Sequence, residues 1–435
     1  MGHVVNSQRE YHLLQRQLDR TVTGAPDSPA LMKILRLLFS PDEARLARRL
    51  PGRLSSLGRL SRKLEMPRDE LEEKLDAMAR RGLVIDLKHK GRRYFMLAPV
   101  VIGFFEFTFM RLRDDVPMKE LARLFEQYMD ADDRFTRSVV GGQTQLGRSL
   151  VREEALPPDD HTEILDWERA SRIVQTASPI AVSLCPCRHK ASHVGKACRR
   201  PQRTCLSLNY AAESVIRNGI GEAVTVGEAM GILQECKEAG LAQTGDNVQR
   251  KMSYICNCCG CCCEMVRAIR TFGLRGAIIT SNWIMEVDAA RCKGCGTCVK
   301  ACPVGAIEVV EIPSGEKPQK RAARDGALCI GCGVCYGACQ SGAIAMRPRE
   351  KRVLTPETVF DRVVAMAIER RKLAELLFDN PQKLTHRALA RIVGAIEKSP
   401  PFQAALAIKP LRSAFLSGLV AAAKKQSGEA REMFQ

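Results

Sequence analysis

Apolar side chains in the first hundred residues recur three times with helical spacing and then change to the denser pattern of strands. Residues three and four positions apart share one face of a helix, so each set predicts a helix with one buried face. Two apolar runs, 83–87 and 94–97, flank the polar residues 88–92 and predict a β-hairpin. The helical positions are Leu31, Ile34 and Leu38, then Leu57, Leu60 and Leu64, and then Leu71, Leu75 and Met78.

This order of three helices and a hairpin resembles a winged helix, a variant of the helix-turn-helix. The resemblance implies that the third helix, which Pro67 opens and Gly82 ends, enters the major groove of DNA. Phosphates would repel the acidic first turns of that helix, whereas the hairpin turn is basic. We therefore expect this module to dock onto a protein or onto the rest of the chain in preference to DNA. The acidic residues are Asp69, Glu70, Glu72 and Glu73, and the basic residues are Lys88, Lys90, Arg92 and Arg93.

Helical spacing returns once in the middle of the chain and three times near its C-terminal end. Thr355 and Pro356 are expected to be the N-cap and first residue of the first C-terminal helix, which Asn380 and Pro381 would stop. The predicted helices cover residues 226–239, then 356–379, about 385–398 and 410–425.

Composition indicates a cytoplasmic protein that uses its thiols to bind metal. The chain has 435 residues, enough for about three or four domains, and 19 cysteines. Because no apolar run follows the first residues, we expect a reducing compartment in which disulfides do not form. The longest apolar run, residues 97–110, is shorter than the roughly 20 residues of a membrane span, so we expect no such span.

The net charge of +18 suits an acidic partner, and part of it would offset the negative charge of metal–thiolate centres.

Two runs of four cysteines share the spacing C-x2-C-x2-C-x3-C. A [4Fe-4S] cluster needs four converging thiolates and a backbone that wraps closely around it, and two residues between ligands allow this wrapping. Glycines between the cysteines suit loops that need positive φ. The runs are Cys292, Cys295, Cys298 and Cys302, then Cys329, Cys332, Cys335 and Cys339, and the glycines are Gly294, Gly296, Gly331 and Gly333.

With these motifs, residues 285–347 resemble a bacterial-type two-cluster ferredoxin. Gln340 stands where that family has a proline, which removes a rigid φ but no ligand. An apolar strand is expected shortly after each run. The resemblance implies that the fourth cysteine of each run binds the cluster of the other run. One cluster would then be held by Cys292, Cys295, Cys298 and Cys339, and the other by Cys329, Cys332, Cys335 and Cys302.

Eleven further cysteines lie between residues 170 and 285. Cys256, Cys259 and Cys262 recur every three residues, whereas adjacent cysteines are expected to point apart and not to share one face of a cluster. We expect at least one further metal centre here, an iron–sulfur cluster, with structural zinc or a redox dithiol as alternatives. The ten candidate ligands are Cys185, Cys187, Cys198, Cys205, Cys256, Cys258, Cys259, Cys261, Cys262 and Cys263.

The eleventh cysteine and two histidines are weaker candidates. Cys236 lies inside a predicted helix, where a lone cysteine usually acts as a small buried hydrophobe. His189 and His193 could be ligands, but a histidine among basic residues more often lies at the surface or hydrogen-bonds locally. The cysteine-rich segments together make residues 170–347 similar to modular 4Fe-4S ferredoxin-type proteins of anaerobic and facultatively anaerobic bacteria.

We therefore predict a multidomain α+β protein. Its parts would be a winged-helix-like module at 1–113, a cysteine-rich helical middle region at 114–284, a ferredoxin-like domain with two [4Fe-4S] clusters at 285–349 and a helical C-terminal segment at 350–435.

The predicted function is the relay of single electrons to or from a partner oxidoreductase or a larger oxidoreductase complex. The chain has neither a P-loop nor a G-x-G-x-x-G motif between a strand and a helix, which disfavours nucleotide-dependent chemistry. One alternative is a redox-responsive regulator that acts through the winged-helix-like module. Another is an oxidoreductase with substrate chemistry at the middle-region cluster.

Overall fold

The computed structural model describes residues 7–156, 165–313, 318–378 and 384–399. These residues form two compact units, and each is described by itself. As far as it is described, the first unit comprises Met1–Thr144, Ser214–Ile220 and Glu357–Gln435, and the second comprises Gln145–Glu213 and Gly221–Pro356. The four finer domain boundaries inferred from the sequence stay predictions.

Both helices and strands occur in the described chain, as the α+β prediction requires. The helices are α1 Ser7–Asp19, α2 Pro29–Leu38, α3 Pro41–Ala47, α4 Leu57–Leu64, α5 Arg68–Arg80, α6 Phe105–Phe109, α7 Met118–Asp130, α8 Arg134–Val140, α9 Ala170–Thr176, α10 Pro186–His193, α11 Tyr210–Arg217, α12 Val226–Glu238, α13 Glu264–Phe272, α14 Thr297–Ala301, α15 Val334–Ala338, α16 Val359–Glu369, α17 Leu373–Leu377 and α18 Leu384–Lys398. The strands are β1 Ser55–Ser56, β2 Val84–His89, β3 Arg92–Leu97, β4 Gly147–Ser149, β5 Ile180–Leu184, β6 Arg203–Leu208, β7 Glu222–Val224, β8 Ala242–Asp246, β9 Tyr254–Cys258, β10 Trp283–Val287, β11 Ile307–Ile312, β12 Gln319–Arg324 and β13 Ile344–Pro348.

In the first unit, the three helices predicted from apolar spacing are α2, α4 and α5. Their predicted apolar positions are all buried except Leu57, which is partly exposed. Local capping explains where the helices begin: Ser28 accepts a hydrogen bond from the amide of Leu31 at 3.0 Å at the start of α2. Ser40 and Glu43 form a reciprocal capping box at the start of α3.

The predicted hairpin is present as β2 and β3, and β1 pairs with β3 to complete a three-stranded antiparallel sheet. The turn is tighter than the sequence suggested. Only Lys90 and Gly91 connect the strands, with φ of 48° and 75°. Positive φ at both residues is typical of the type I′ turn, whose twist matches that of a two-residue hairpin.

Arg93, one of the basic residues predicted for the hairpin turn, points toward acidic side chains of its own unit. It donates hydrogen bonds to Glu72 at 3.2 Å and Asp76 at 2.5 Å on α5, and to Asp86 at 3.1 Å on β2. The fully buried Asp86 also accepts hydrogen bonds from Arg217 at 2.7 Å. The guanidinium of Arg93 is therefore engaged within the protein.

The apolar run at residues 97–110 is mostly buried in the first unit. The ring of Phe105 packs against Phe109 and Phe125 with centroid distances of 5.6 and 5.1 Å. Phe104 packs edge-on against Phe39 at 6.1 Å. Of the helices in the described part of the chain, none combines the length and the apolar character of a membrane-crossing segment.

The first C-terminal helix begins later than predicted. Thr358, not Thr355, is the N-cap of α16, because Thr358 and Asp361 form a reciprocal capping box. The helix also ends early, at Glu369, and Arg371 has a φ of 55° before α17 begins. The helix predicted at 385–398 is present as α18, whereas the predicted stop at 380–381 and the helix at 410–425 lie outside the described residues.

The second unit corrects the prediction of a helical middle region. Six strands form one antiparallel sheet in the order β4-β8-β9-β6-β5-β7, and helices α9 to α13 connect or flank them. Several of these strands are short and rich in Ser, Thr, Gln and Cys, as in Ala242–Asp246. Such strands lack the apolar alternation from which a half-buried strand is predicted.

Two further antiparallel pairs accompany the four-cysteine runs, β10 with β13 and β11 with β12. Strands β11 and β13 are those expected after the two runs. Trp283, Met285 and Met346 form a buried cluster with Cys298 and Cys335. The third cysteine of each run therefore packs against an apolar core.

Candidate metal centres

Each four-cysteine run folds into a loop followed by one helical turn. The third cysteines, Cys298 on α14 and Cys335 on α15, are buried. The fourth cysteines, Cys302 and Cys339, are the C-cap residues of the same turns. Both runs thus present their thiols from the same backbone arrangement.

The loops fit their surroundings only with glycine at two positions. Gly331 has a φ of 69°, and a Cβ there would lie 2.2 Å from the Ser281 hydroxyl and 2.3 Å from the Trp283 carbonyl oxygen. Gly294 has a φ of 63°, and its Cβ would lie 2.4 Å from the Lys320 carbonyl oxygen. A side chain would be strained by φ and blocked by backbone atoms at both places.

Backbone amides donate hydrogen bonds to the thiols of both runs. The amides of Ala322, Ala306 and Ala343 donate to Cys292 at 3.4 Å, Cys302 at 3.2 Å and Cys339 at 3.4 Å, respectively. Burial raises the pKa of the Cys339 thiol, but hydrogen bonds from Ser341 and from backbone amides outweigh burial and lower the pKa. These donors favour a thiolate, which is the form that binds metal.

The structure brings the fourth cysteine of each run close to the other run. Cys302 lines one cavity with Cys329, Cys332 and Cys335, and the remaining lining residues are mostly apolar. Cys339 lies close enough to Cys295 for the two thiols to interact electrostatically. Burial raises the pKa of Cys332 to about 12, so an ion would have to replace the proton of this thiol.

Four middle-region thiols converge on one point. Cys198, Cys259, Cys261 and Cys262, the Cys198 group, have Sγ atoms that all lie within 4.8 Å of one another. Cys198 and Cys259 are 3.9 Å apart, and Cys261 and Cys262 are 3.7 Å apart. Four sulfurs about 2.3 Å from one tetrahedral metal ion would be about 3.8 Å apart. The Cys198 group therefore has the donors and the spacing to hold a metal ion.

This group differs from the one predicted by period three. The adjacent residues Cys261 and Cys262 belong to the same group, so the expectation that neighbouring cysteines point apart is wrong here. Cys256, which the period would have included, is not among these four. The physical reason is that residues 260–262 form a turn, whereas side chains alternate between two sides only along a strand.

The comparison with known families agrees with the cysteine geometry. Residues 274–344 match the family model described as a 4Fe-4S dicluster domain. This is an iron–sulfur protein. The match covers less than half of the chain. The searches of curated proteins and of solved structures found no match to this chain.

Four other thiols of this iron–sulfur protein form a second set, Cys185, Cys187, Cys258 and Cys263, the Cys187 group. Cys263 and Cys258 have their Sγ atoms 3.3 Å apart. The Cys187 thiol lies close enough to Cys185 and Cys263 to interact electrostatically with both thiols. Cys185 is the N-cap of α10, and Cys263 is the N-cap of α13. The two remaining candidates, Cys205 and Cys256, lie on β6 and β9.

Two buried cations accompany the thiols, which the sequence alone did not reveal. The fully buried Arg188 donates hydrogen bonds to the carbonyl oxygens of Pro201 and Asn257, both at 2.9 Å, and to the Thr204 hydroxyl. Lys190, 2% exposed, forms an ion pair with Glu264 at 2.6 Å. The basic residues that follow Cys187 in sequence were the only signal of this arrangement.

The weaker candidates behave as ordinary side chains. Cys236 is fully buried in α12, and burial raises its pKa to about 12, which keeps the thiol protonated. His189 is buried, with its Nε2 3.2 Å from that of His193. Burial and the neighbouring His189 lower the pKa of His193. His189 is therefore not on a solvated face, although it does make the local contact considered for it.

Proposed function

We propose that the protein transfers single electrons through two [4Fe-4S] clusters to or from a partner oxidoreductase. The observation that carries the proposal is the pair of four-cysteine runs inside the matched dicluster domain. When bound, each cluster accepts and releases one electron at a time. The protein binds the clusters through thiolates, and its loop amides stabilise those thiolates.

The proposed ligand sets are crossed between the two runs. The cavity shared by Cys302 with the first three cysteines of the second run supports one set, and the proximity of Cys339 to Cys295 supports the other. The sets are Cys292, Cys295, Cys298 and Cys339, and Cys329, Cys332, Cys335 and Cys302.

The Cys198 group is proposed to hold a third metal centre. Its sulfur contacts of 3.7 and 3.9 Å match the edges of a tetrahedron around a single zinc or iron ion. The eight cysteines of the two runs, all within the described residues, include no set of three thiols as tight as this. The spacing therefore favours a single ion over the iron–sulfur cluster expected from the sequence.

Metal analysis of the anaerobically purified full chain tests these assignments. The two clusters predict about eight iron and eight acid-labile sulfide per chain, with EPR signals after reduction. The Cys198 group predicts additional zinc or iron without additional sulfide. Protein without acid-labile sulfide would contradict the electron-transfer proposal.

A partner is required by this function, because the clusters alone carry out no chemistry on a substrate. We propose that the partner is a protein surface of acidic character, since the chain has a net charge of +18. Reduced protein should then pass electrons to such a partner at a rate that falls as salt concentration rises.

A further inference from the structure

The Cys187 group is built from two segments that are distant in sequence, residues 185–187 and 258–263. Cys185 and Cys187 come from the start of α10, Cys258 ends β9, and Cys263 precedes α13. The Sγ atoms of Cys258 and Cys263 are 3.3 Å apart, and Cys187 lies close enough to Cys185 and Cys263 for the thiols to interact electrostatically. Cysteine pairs contributed by two distant segments are typical of a thiolate metal site.

Further polar contacts surround this group. The Thr244 hydroxyl lies 3.3 Å from the Sγ of Cys258, where it can donate a hydrogen bond to a thiolate. Cys258 and Cys263 are both buried, so this contact lies away from the protein surface.

The charge of Arg188 supplies an independent argument. A guanidinium is always charged, and burying it without a counter-charge costs several kcal/mol. Among the described residues no carboxylate pairs with Arg188, and its oxygen partners are two carbonyls and a hydroxyl. The nearby groups that can become anionic include three thiols, Cys259 of the Cys198 group and Cys185 and Cys258 of the Cys187 group.

We propose that Cys185, Cys187, Cys258 and Cys263 bind a second metal centre of the middle region, with Arg188 as a counter-charge shared by the two centres. The ligand is an iron–sulfur cluster, because no three of these four described thiols lie as close together as the thiols of the Cys198 group do. Metal binding converts neutral thiols to thiolates, and these thiolates compensate the buried guanidinium. The inference goes beyond the proposed relay, which needs only the two ferredoxin-type clusters.

Paired cysteine variants of the full chain test the proposal. Cys187→Ser with Cys263→Ser should lose one centre, and Cys259→Ser with Cys261→Ser should lose a different one. The four substitutions together should lose the sum of both. Iron, zinc and acid-labile sulfide are measured in each protein after anaerobic purification, and Cys236→Ala is the control for removal of a buried cysteine of the same unit.

The metal that is lost identifies the centre. Loss of iron with equal sulfide is expected for Cys187→Ser with Cys263→Ser, whereas loss of zinc, or of iron without sulfide, would contradict a cluster at this group. Unchanged metal content in Cys187→Ser with Cys263→Ser would overturn the proposal. The proposal would also be overturned if each double variant lost as much metal as the fourfold variant. A single centre would then account for both groups of thiols.

Two measurements separate this result from misfolding and from failure of the electron-transfer proposal. The EPR signals of the ferredoxin-type clusters, recorded on the same samples, report whether the second unit still folds. In addition, anaerobic alkylation of the wild-type protein is mapped by mass spectrometry before and after metal removal by a chelator. Cys187, which is partly exposed, should be protected only before removal, and equal labelling of Cys187 in both states would contradict a metal centre there.

Discussion

The ligand assignment of the two clusters depends on the fourth cysteine of each run. Cys302→Ser should remove one cluster, with loss of about four of eight irons. Adding Cys332→Ser should cost no further iron, because both residues would serve the same cluster. Adding Cys295→Ser instead should remove both clusters. Iron and sulfide analysis, with EPR of the reduced proteins, measures the number of clusters in each variant. If the protein with Cys302→Ser and Cys295→Ser kept half of its iron, each cluster would be held by the four cysteines of one run, and the crossed assignment would be wrong.

Alanine substitutions at Gly331 and Gly305 distinguish the effect of backbone strain from that of steric overlap. Both have positive φ, but a Cβ at Gly305 would meet nothing within 4 Å, whereas one at Gly331 would overlap the Ser281 hydroxyl and the Trp283 carbonyl. Gly305→Ala should therefore cost roughly 1–2 kcal/mol of unfolding free energy, and Gly331→Ala clearly more, with reduced iron content. Urea unfolding followed through cluster absorbance measures the free energy of unfolding of both variants. Equal losses of unfolding free energy would mean that the loop around Gly331 can shift to accommodate the added Cβ.

Residue spacing determined what could be predicted about the ligands. The two four-cysteine runs are local motifs, so the sequence shows them directly. The partition of the middle cysteines is not local, because Cys198 meets Cys259 only after α10 and β9 take their places. Spacing therefore could not reveal which of ten thiols converge, and the period of three favoured a set that the fold does not bring together.

At the scale of elements, the predictions succeeded where apolar periodicity was strong. Helices α2, α4 and α5 follow from it, as does the hairpin of β2 and β3. The six-stranded sheet was missed because its strands carry polar and cysteine side chains that resemble loops or ligand segments. The start of α16 was misplaced because proline after Thr355 is a weaker signal than the reciprocal hydrogen bonds of Thr358 and Asp361.

Asp86 is the residue that joins elements within the first unit. On β2 it accepts hydrogen bonds from Arg93 of the hairpin and from Arg217 at the end of α11. Asp86→Ala would remove a buried carboxylate that also accepts hydrogen bonds from Ser214 and the buried Asn218, and it should destabilise the unit by about 3–5 kcal/mol. Asp133→Ala, which removes the surface ion pair with Arg137, should cost about 0.5 kcal/mol or less. Chemical denaturation followed by circular dichroism compares them, and similar midpoints for the two variants would contradict the role given to Asp86.

At the scale of the whole molecule, the thiol chemistry is confined to one unit. All 19 cysteines lie in the second unit, and the first unit has none. The first unit therefore contributes no thiolate ligand, and we propose that its role is to recognise a partner. The start of α5 is acidic, and the guanidinium of Arg93 is already hydrogen-bonded within the unit. We therefore expect the first unit to recognise a protein in preference to DNA.

DNA binding distinguishes this interpretation from a redox-responsive regulator. A net charge of +18 should produce weak, sequence-independent binding to duplex DNA that falls steeply with salt. Because α5 carries carboxylates where a reading helix meets phosphates, we expect no preference for any sequence and little change between oxidised and reduced protein. Fluorescence anisotropy with random duplexes at several salt concentrations, in both redox states, measures this. Lys88→Gln tests whether the hairpin contacts phosphate, because loss of one phosphate contact would lower the slope of log affinity against log salt concentration by about one.

A redox-responsive regulator predicts a different result. A change in DNA affinity of more than about tenfold on oxidation would show coupling between the clusters and a DNA site.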